Sequence, residues 1–282
     1  MNKFRMIVLD DYEGELAISP AMMRLRQLAE VQILDRPIHP DDHHILKDVQ
    51  ILLALRERTM LDGRFFEACP NLELVLQTGG HAYHIDQTAA SKQGIVIALG
   101  RRVSKPTVVI PELVFSLMLG LVRQIYPLTT EMHNGRWPEL IGGSLSGRTL
   151  GILGYGRLGH PVARLAEAFG MRVVAWDRNG SSRGAIVDEP ALLEALRERR
   201  LAGAGLDVFC TEPLPQTSEL RTMPNVLLTP HVGWKVREVL HEFVEIAADQ
   251  LDAWLSTGLS KNEVLNPDAM DVESKRSGTL GP

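Results

Sequence analysis

Short apolar runs alternate with amphipathic stretches along most of the chain. In the first hundred residues, the runs Arg5–Leu9, Val31–Leu34, Val49–Leu55, Leu72–Gln77 and Ile95–Ala98 predict strands. Ala21–Leu28, His43–Leu46 and Gly63–Ala68 predict the helices between them. Strands that are apolar on both faces and separated by helices run parallel, so this part reads as an α/β layer with helices on both sides. Pro106–Tyr126 then reads as one long apolar helix with a proline near its start, and a polar helical segment follows to about Arg136. After a loop holding Gly142, Gly143 and Gly147, the alternation resumes. Leu150–Leu153 and Met171–Trp176 predict strands around a helix at Pro161–Phe169. Glu189–Arg200 predicts a helix, and Ala204–Phe209 and Val226–Leu228 predict strands. Val236–Leu255 predicts a last long helix, with Leu240, Phe243, Ala247, Leu251 and Trp254 on one face.

The densest signal lies at Thr149–Arg178. There Gly154-Tyr155-Gly156-Arg157-Leu158-Gly159 matches G-x-G-x-x-G between a strand and a helix. Asp177 ends the next strand, eighteen residues after Gly159. Gly154 permits a tight turn, Gly156 lets backbone approach a diphosphate, and Gly159 lets the helix pack close to the strand. The free N–H groups of the helix start favour the negative charge. Asp177 would accept from both ribose hydroxyls and repel a 2′-phosphate, which favours NAD over NADP. The alternative is a glycine turn without a ligand, which does not account for both strands and the acid.

Composition narrows the classes. A chain of 282 residues accommodates two domains with proper cores. The net charge of −5 and pI near 6.0 give no reason to expect nucleic acid or an anionic membrane as partner. Cys69 and Cys210 are too few and too far apart for a disulfide framework, which points to a reducing compartment. The apolar run in Met1–Asp10 is too short for a leader, and Val108–Val122 is too short to span a bilayer. A cytoplasmic protein is the expectation. His43-His44 and His81/His84 lack a set of partner ligands, so no metal site is expected.

Three polar residues follow the dinucleotide motif, each after a strand or turn: Arg183, Glu212 and His231. Hydride transfer to or from a secondary alcohol needs a group that moves a proton in step, and histidine suits this near neutral pH. A carboxylate beside it would hold the tautomer, and an arginine can grip a substrate carboxylate with two parallel bonds. Taken singly, His231 competes with eight other histidines among the nine in the chain, Glu212 could be a loop charge, and Arg183 could pair with Asp188.

Taken in order, the segments GILGYGRLG, SRGAIVDEPALLEAL, AGLDVFCTEPLP and NVLLTPHVGW resemble the successive signatures of the D-isomer-specific 2-hydroxyacid dehydrogenases. That family includes D-3-phosphoglycerate dehydrogenase and glyoxylate/hydroxypyruvate reductase. LLALRERT, LVLQTGGHAYHID and NEVLNP are similar to its substrate domain and its C-terminal end. The resemblance implies an α/β fold of two parallel-sheet domains: a flavodoxin-like substrate domain of residues 1–103 plus 235–282, and a Rossmann NAD-binding domain of residues 104–234. It implies Arg183, Glu212 and His231 as the catalytic set. The implied NAD-binding set is Gly154, Tyr155, Gly156, Arg157, Leu158, Gly159, Asp177, Arg178, Asp207, His231 and Gly233, with Asp207 on the nicotinamide carboxamide. Gly79, Gly80 and Arg183 would bind a small 2-hydroxy or 2-keto acid. Members are usually homodimers, with the long helix near residues 106–126 at or near the interface. The alternatives are a non-catalytic, dimeric NAD(H)-binding regulatory protein and an inactive, internally deleted paralogue.

One departure stands out. Only the five residues Arg178–Ser182 separate Asp177 from Arg183, where the family has two further strand–helix units and most of a third strand. In the strand order 3-2-1-4-5-6 the two sites lie three strands apart, roughly 14–15 Å, and six Cα steps reach about 20 Å. The chain can make the crossing, but the sheet has to respond. Either Ala204–Phe209 pairs with Leu150–Leu153, or the domain is partly open. A smaller departure is the basic run Arg101-Arg102-Val103-Ser104-Lys105, which would suit a dianionic or phosphorylated substrate or simply be a solvated loop.

Overall fold

The computed structural model describes residues 3–176 and 187–270. The expectations for Asp177, Arg178 and Arg183 therefore fall outside the described residues. The chain divides into two compact units, Met1–Val103 with Arg237–Pro282, and Ser104–Val236.

The first unit is a five-stranded parallel sheet: β1 (Phe4–Val8), β2 (Ala29–Ile33), β3 (Ile51–Ala54), β4 (Leu74–Gln77) and β5 (Val96–Leu99), in the order β2-β1-β3-β4-β5. This is the flavodoxin-like order. Every residue of β3, β4 and β5 is buried, as their unbroken apolar runs demand. The helices are α1 (Met22–Leu28), α2 (His43–Leu46), α3 (Gly63–Glu67), α4 (Gln87–Gln93) and, from the C-terminal segment, α9 (Arg237–Ser256). The sequence reading passed over α4, whose polar run QTAASKQ lacks an apolar stripe. Its signal was the punctuation: Asp86 caps the helix by accepting from Ala89 N, and Gly94 ends it at φ +74°. The C-terminal segment completes the sheet edge, where Leu99 N donates to Glu263 O and Leu265 N to Ile97 O. Arg102 pairs with Glu263 at 2.8 Å and Asp249 at 3.7 Å, and Arg101 donates to Asn262 O. Two cations of the basic run are thus spent inside this unit.

His84 carries a testable consequence. It is 5% exposed, and neither ring nitrogen has a partner among the described residues. Burial lowers its pKa below the ordinary histidine value. The folded state therefore keeps His84 neutral, while the unfolded chain takes up a proton near pH 6.5. Below that pH the unfolded state binds more protons, so stability falls as the pH drops from about 6.5 toward the lower, folded value. Between pH 7 and pH 5 the urea midpoint of the native chain should fall further than that of His84→Gln. Equal declines would remove His84 as the cause.

The second unit begins with α5 (Pro106–Val122) and α6 (Ile125–His133). The single helix expected over Pro106–Tyr126 is in fact two, bent by 65°. Gln124 sits between them in the left-handed region, at φ 55°. Pro127 explains the break, because continuing the helix would drive its ring into the carbonyl of Arg123, four residues earlier. No single helix among the described residues is long and apolar enough to cross a membrane.

Two strand pairs follow. β6 (Thr149–Leu153) pairs in parallel with β7 (Arg172–Trp176) across α7 (Gly159–Ala168). After α8 (Glu189–Arg197), β8 (Ala204–Leu206) pairs in parallel with β9 (Val226–Leu228). Among the described residues, β6 pairs only with β7 and β8 only with β9. Of the two responses to the short crossing, the open one is observed. β8 is also shorter than the run to Phe209 that the sequence predicts.

Each pair has its own small core. Phe115, Leu145, Val162, Ala166 and Met171 fill the first, and Leu196, Leu220 and Val226 the second. α5 packs against α7, β8 and β9 and so links them. The approach is close: a Cβ on Gly205 of β8 would lie 2.9 Å from Leu117 Cβ. On the other face of β6–β7, Leu153 is 60%, Val174 56% and Trp176 50% exposed.

Candidate active site

β8 and β9 end side by side, and the residues that follow them build one constellation. Asp207 comes directly after β8. Its Oδ1 accepts from Thr229 Oγ1 at 2.6 Å and from Val232 N at 2.8 Å, and its Oδ2 accepts from Gly233 N at 2.8 Å. These bonds lock the turn Thr229–Gly233 that carries His231. His231 takes φ 52°, uncommon for a non-glycine residue, and its N–H donates to Thr229 O. The imidazole is thereby aimed at the loop after β8, where its Nδ1–H donates to Glu212 Oε2 at 2.7 Å. The other oxygen of Glu212 accepts from Phe209 N at 2.9 Å. Both carboxylate oxygens are engaged, so the ring's tautomer and direction are set and Nε2 is left for chemistry.

Glu212 and His231 share the wall of a cavity of about 610 Å³ with Phe209, Leu214, Arg221 and Leu228, within the range of small-molecule sites. Cys210 is exposed; its backbone N–H donates to Glu189 Oε2, and the hydrogen bond of its thiol to the Glu189 carboxylate raises the thiol pKa. A thiol held protonated in this way is a poor nucleophile. Sequence reasoning brought Glu212 to His231 but gave Asp207 another task, on the carboxamide. Here that carboxylate makes three bonds to the His231 turn and keeps acceptor capacity for one more. Thr229 was missed, although its place two residues before His231 was a usable signal.

The glycine motif follows β6. Gly154 has φ 101°, and its N–H donates to Trp176 O at 2.8 Å. A Cβ on Gly159 would lie 2.4 Å from Gly154 O, so only glycine lets α7 start this close to the strand. A Cβ on Gly156 would meet nothing within 4 Å, so the approach to the backbone there is open. Among the described residues no side chain caps the amino end of α7. An uncapped helix start behind an open glycine turn fits a dinucleotide diphosphate. Tyr155 lies against His160, ring centroids 4.0 Å apart.

Gly79 and Gly80 belong to the first unit, just after β4. Gly79 takes φ 82°, and a Cβ there would lie 2.3 Å from Arg56 Nη1.

Residues 115–182 and 180–233 each match the NAD-binding domain of the D-isomer specific 2-hydroxyacid dehydrogenases. The match breaks at the short crossing after Asp177. A D-3-phosphoglycerate dehydrogenase of Methanocaldococcus jannaschii is 27% identical over 320 aligned positions, which take in 93% of this chain and 60% of that protein. Glyoxylate reductase of Korarchaeum cryptofilum is 28% identical, covering 74% of this chain and 80% of the relative. The crystal structure of an NADPH-dependent glyoxylate/hydroxypyruvate reductase from Sinorhizobium meliloti has a TM-score of 0.71 and 25% identity, over 92% of this chain and 96% of that one. The strand–glycine–helix turn, the ordered loops after β8 and β9 and these likenesses together support the D-isomer-specific 2-hydroxyacid dehydrogenase family, whose NAD-binding domain residues 115–233 match.

Proposed function

We propose that this chain is an oxidoreductase that moves a hydride between NAD(H) and a small D-2-hydroxy acid or 2-keto acid, with His231 as the acid/base. The observation that carries this is the 2.7 Å bond from His231 Nδ1–H to Glu212 on a turn fixed by Asp207. When bound, NAD(H) supplies or accepts the hydride. Gly154, Gly156 and Gly159, with the amino end of α7, would hold the diphosphate, and Arg157 and Leu158 would present backbone to it. Nε2 of His231 would give its proton to the carbonyl oxygen during reduction and take it back during oxidation. Glu212, accepting at Nδ1, keeps the ring turned so that Nε2 is the atom that exchanges the proton. Arg183 would grip the substrate carboxylate. Asp177 is the ground for preferring NAD, although the Sinorhizobium meliloti enzyme is NADPH-dependent. We assign a homodimer to the exposed apolar residues Ile125, Tyr126, Met132, Trp137 and Ile141, on α6 and the loop after it.

The split between the two strand pairs favours a second reading, in which the chain binds NAD(H) and acts as a dimeric regulator without turnover. One experiment separates them. Trp176 ends β7 next to the glycine turn, so bound NADH should quench tryptophan emission by energy transfer. The expected result is saturable binding, tighter for NADH than NADPH, with turnover on glyoxylate or hydroxypyruvate. Binding without turnover on either acid selects the regulator, and no binding up to millimolar NADH removes both. Sedimentation of the same sample should give twice the mass of one chain; a monomer would reject the assigned interface.

A further inference from the structure

The loop that presents Glu212 to His231 is pinned on both flanks. On the near flank, Cys210 N donates to Glu189 Oε2 at 2.9 Å, from the first turn of α8. On the far flank stands Arg221, in the short 3-10 turn Glu219–Thr222. Its Nε donates to Pro215 O at 2.9 Å and its Nη2 to Leu214 O at 2.6 Å. One guanidinium thus bridges two consecutive carbonyls, two and three residues beyond Glu212. Arg221 has no carboxylate partner among the described residues, and it lines the cavity that holds Glu212 and His231. A planar fork with fixed N–H directions suits two adjacent acceptors, which a lysine ammonium matches less well.

We propose that Arg221 is a positioning residue for the Glu212–His231 pair. It touches neither the imidazole nor the reacting atoms. It sets the backbone of Leu214 and Pro215, and through them the distance from the Glu212 carboxylate to Nδ1. Without it the loop keeps its near-side anchor at Glu189 and swings on the far side. A misplacement of about 1 Å in such a constellation costs about a hundredfold in rate. The role rests on the function proposed above, so the test includes a measurement that does not need turnover.

That measurement is the proton resonance of His231 Nδ1–H, shifted downfield by its bond to a carboxylate and assigned through its loss in His231→Gln. Arg221→Ala in the full chain should abolish or broaden this resonance and lower kcat by about 10- to 100-fold with KM little changed. Arg221→Lys should restore part of both. Arg197→Ala is the control for a merely structural effect, because it removes the ion pair from α8 to Glu219 in the same 3-10 turn. It should lower the melting temperature and leave the resonance intact. An unchanged resonance in Arg221→Ala overturns the proposal, as does equal loss in Arg221→Ala and Arg197→Ala. A native chain that shows the resonance but turns over no 2-keto acid defeats the proposed function and leaves the positioning role to be judged by the resonance.

Discussion

Replacing His231 by alanine is expected to lower kcat for 2-keto acid reduction by about 10²- to 10⁴-fold, the usual contribution of a positioned general acid. NADH affinity should stay nearly unchanged. Asp207 fixes the turn through the backbone N–H groups of Val232 and Gly233 and the Thr229 hydroxyl, none of which depends on the His231 side chain. Glu212→Gln should fall between native and His231→Ala. The amide keeps the size of the carboxylate but removes its charge and can turn an N–H₂ toward Nδ1, where it favours the other tautomer. Steady-state kinetics with titrations of NADH quenching test both. Native turnover in His231→Ala would show that another group moves the proton.

The second large effect comes from comparing Gly156 with Gly159. Both are invisible to a substitution scale, yet they face different surroundings. A side chain at Gly156 enters open space, so Gly156→Val should leave the melting temperature nearly unchanged. It would stand where the diphosphate meets the backbone and weaken NADH binding at least tenfold, about 1.4 kcal/mol. A side chain at Gly159 meets a backbone carbonyl oxygen at 2.4 Å, which cannot rotate away. Gly159→Val should therefore destabilise the fold by about 1–3 kcal/mol, as overpacking does, before cofactor is considered. Calorimetry without NADH separates the two. If both variants bind NADH like the native chain, the glycine turn is not the diphosphate site; if Gly156→Val unfolds the chain, the space at Gly156 is not open.

These contrasts also show what the sequence could carry. The apolar runs of β3, β4 and β5 are unbroken because both faces are covered, and an unbroken run is readable without a structure. The Glu212–His231 pair was readable because each follows a short strand in a recurring order of motifs. The break at Gln124 was less readable, because it depends on Pro127 acting four residues upstream inside an otherwise continuous apolar stretch. α4 was hidden because its helix is specified by its ends and not by a stripe. The separation of β6–β7 from β8–β9 could be posed as one of two outcomes but not chosen. Strand pairing is a contest between distant segments, and nothing local in Leu150–Leu153 or Ala204–Leu206 names the winner. The bonds of Asp207 to the His231 turn were unreadable for a similar reason, since twenty-two residues separate Asp207 from Thr229.

The position of α5 has a mechanical meaning. In a continuous sheet, load passes from strand to strand through the hydrogen-bonded ladder, and the loss of one helix leaves the ladder standing. Here the core behind the glycine turn takes in Phe115 of a seventeen-residue rod, and β8–β9 lay the face opposite their own core on that same rod. No strand ladder joins the two pairs among the described residues, so a change in the rod reaches both. The spacing between the glycine turn and His231 is then set through α5, with Leu117 seated on Gly205 as its bearing.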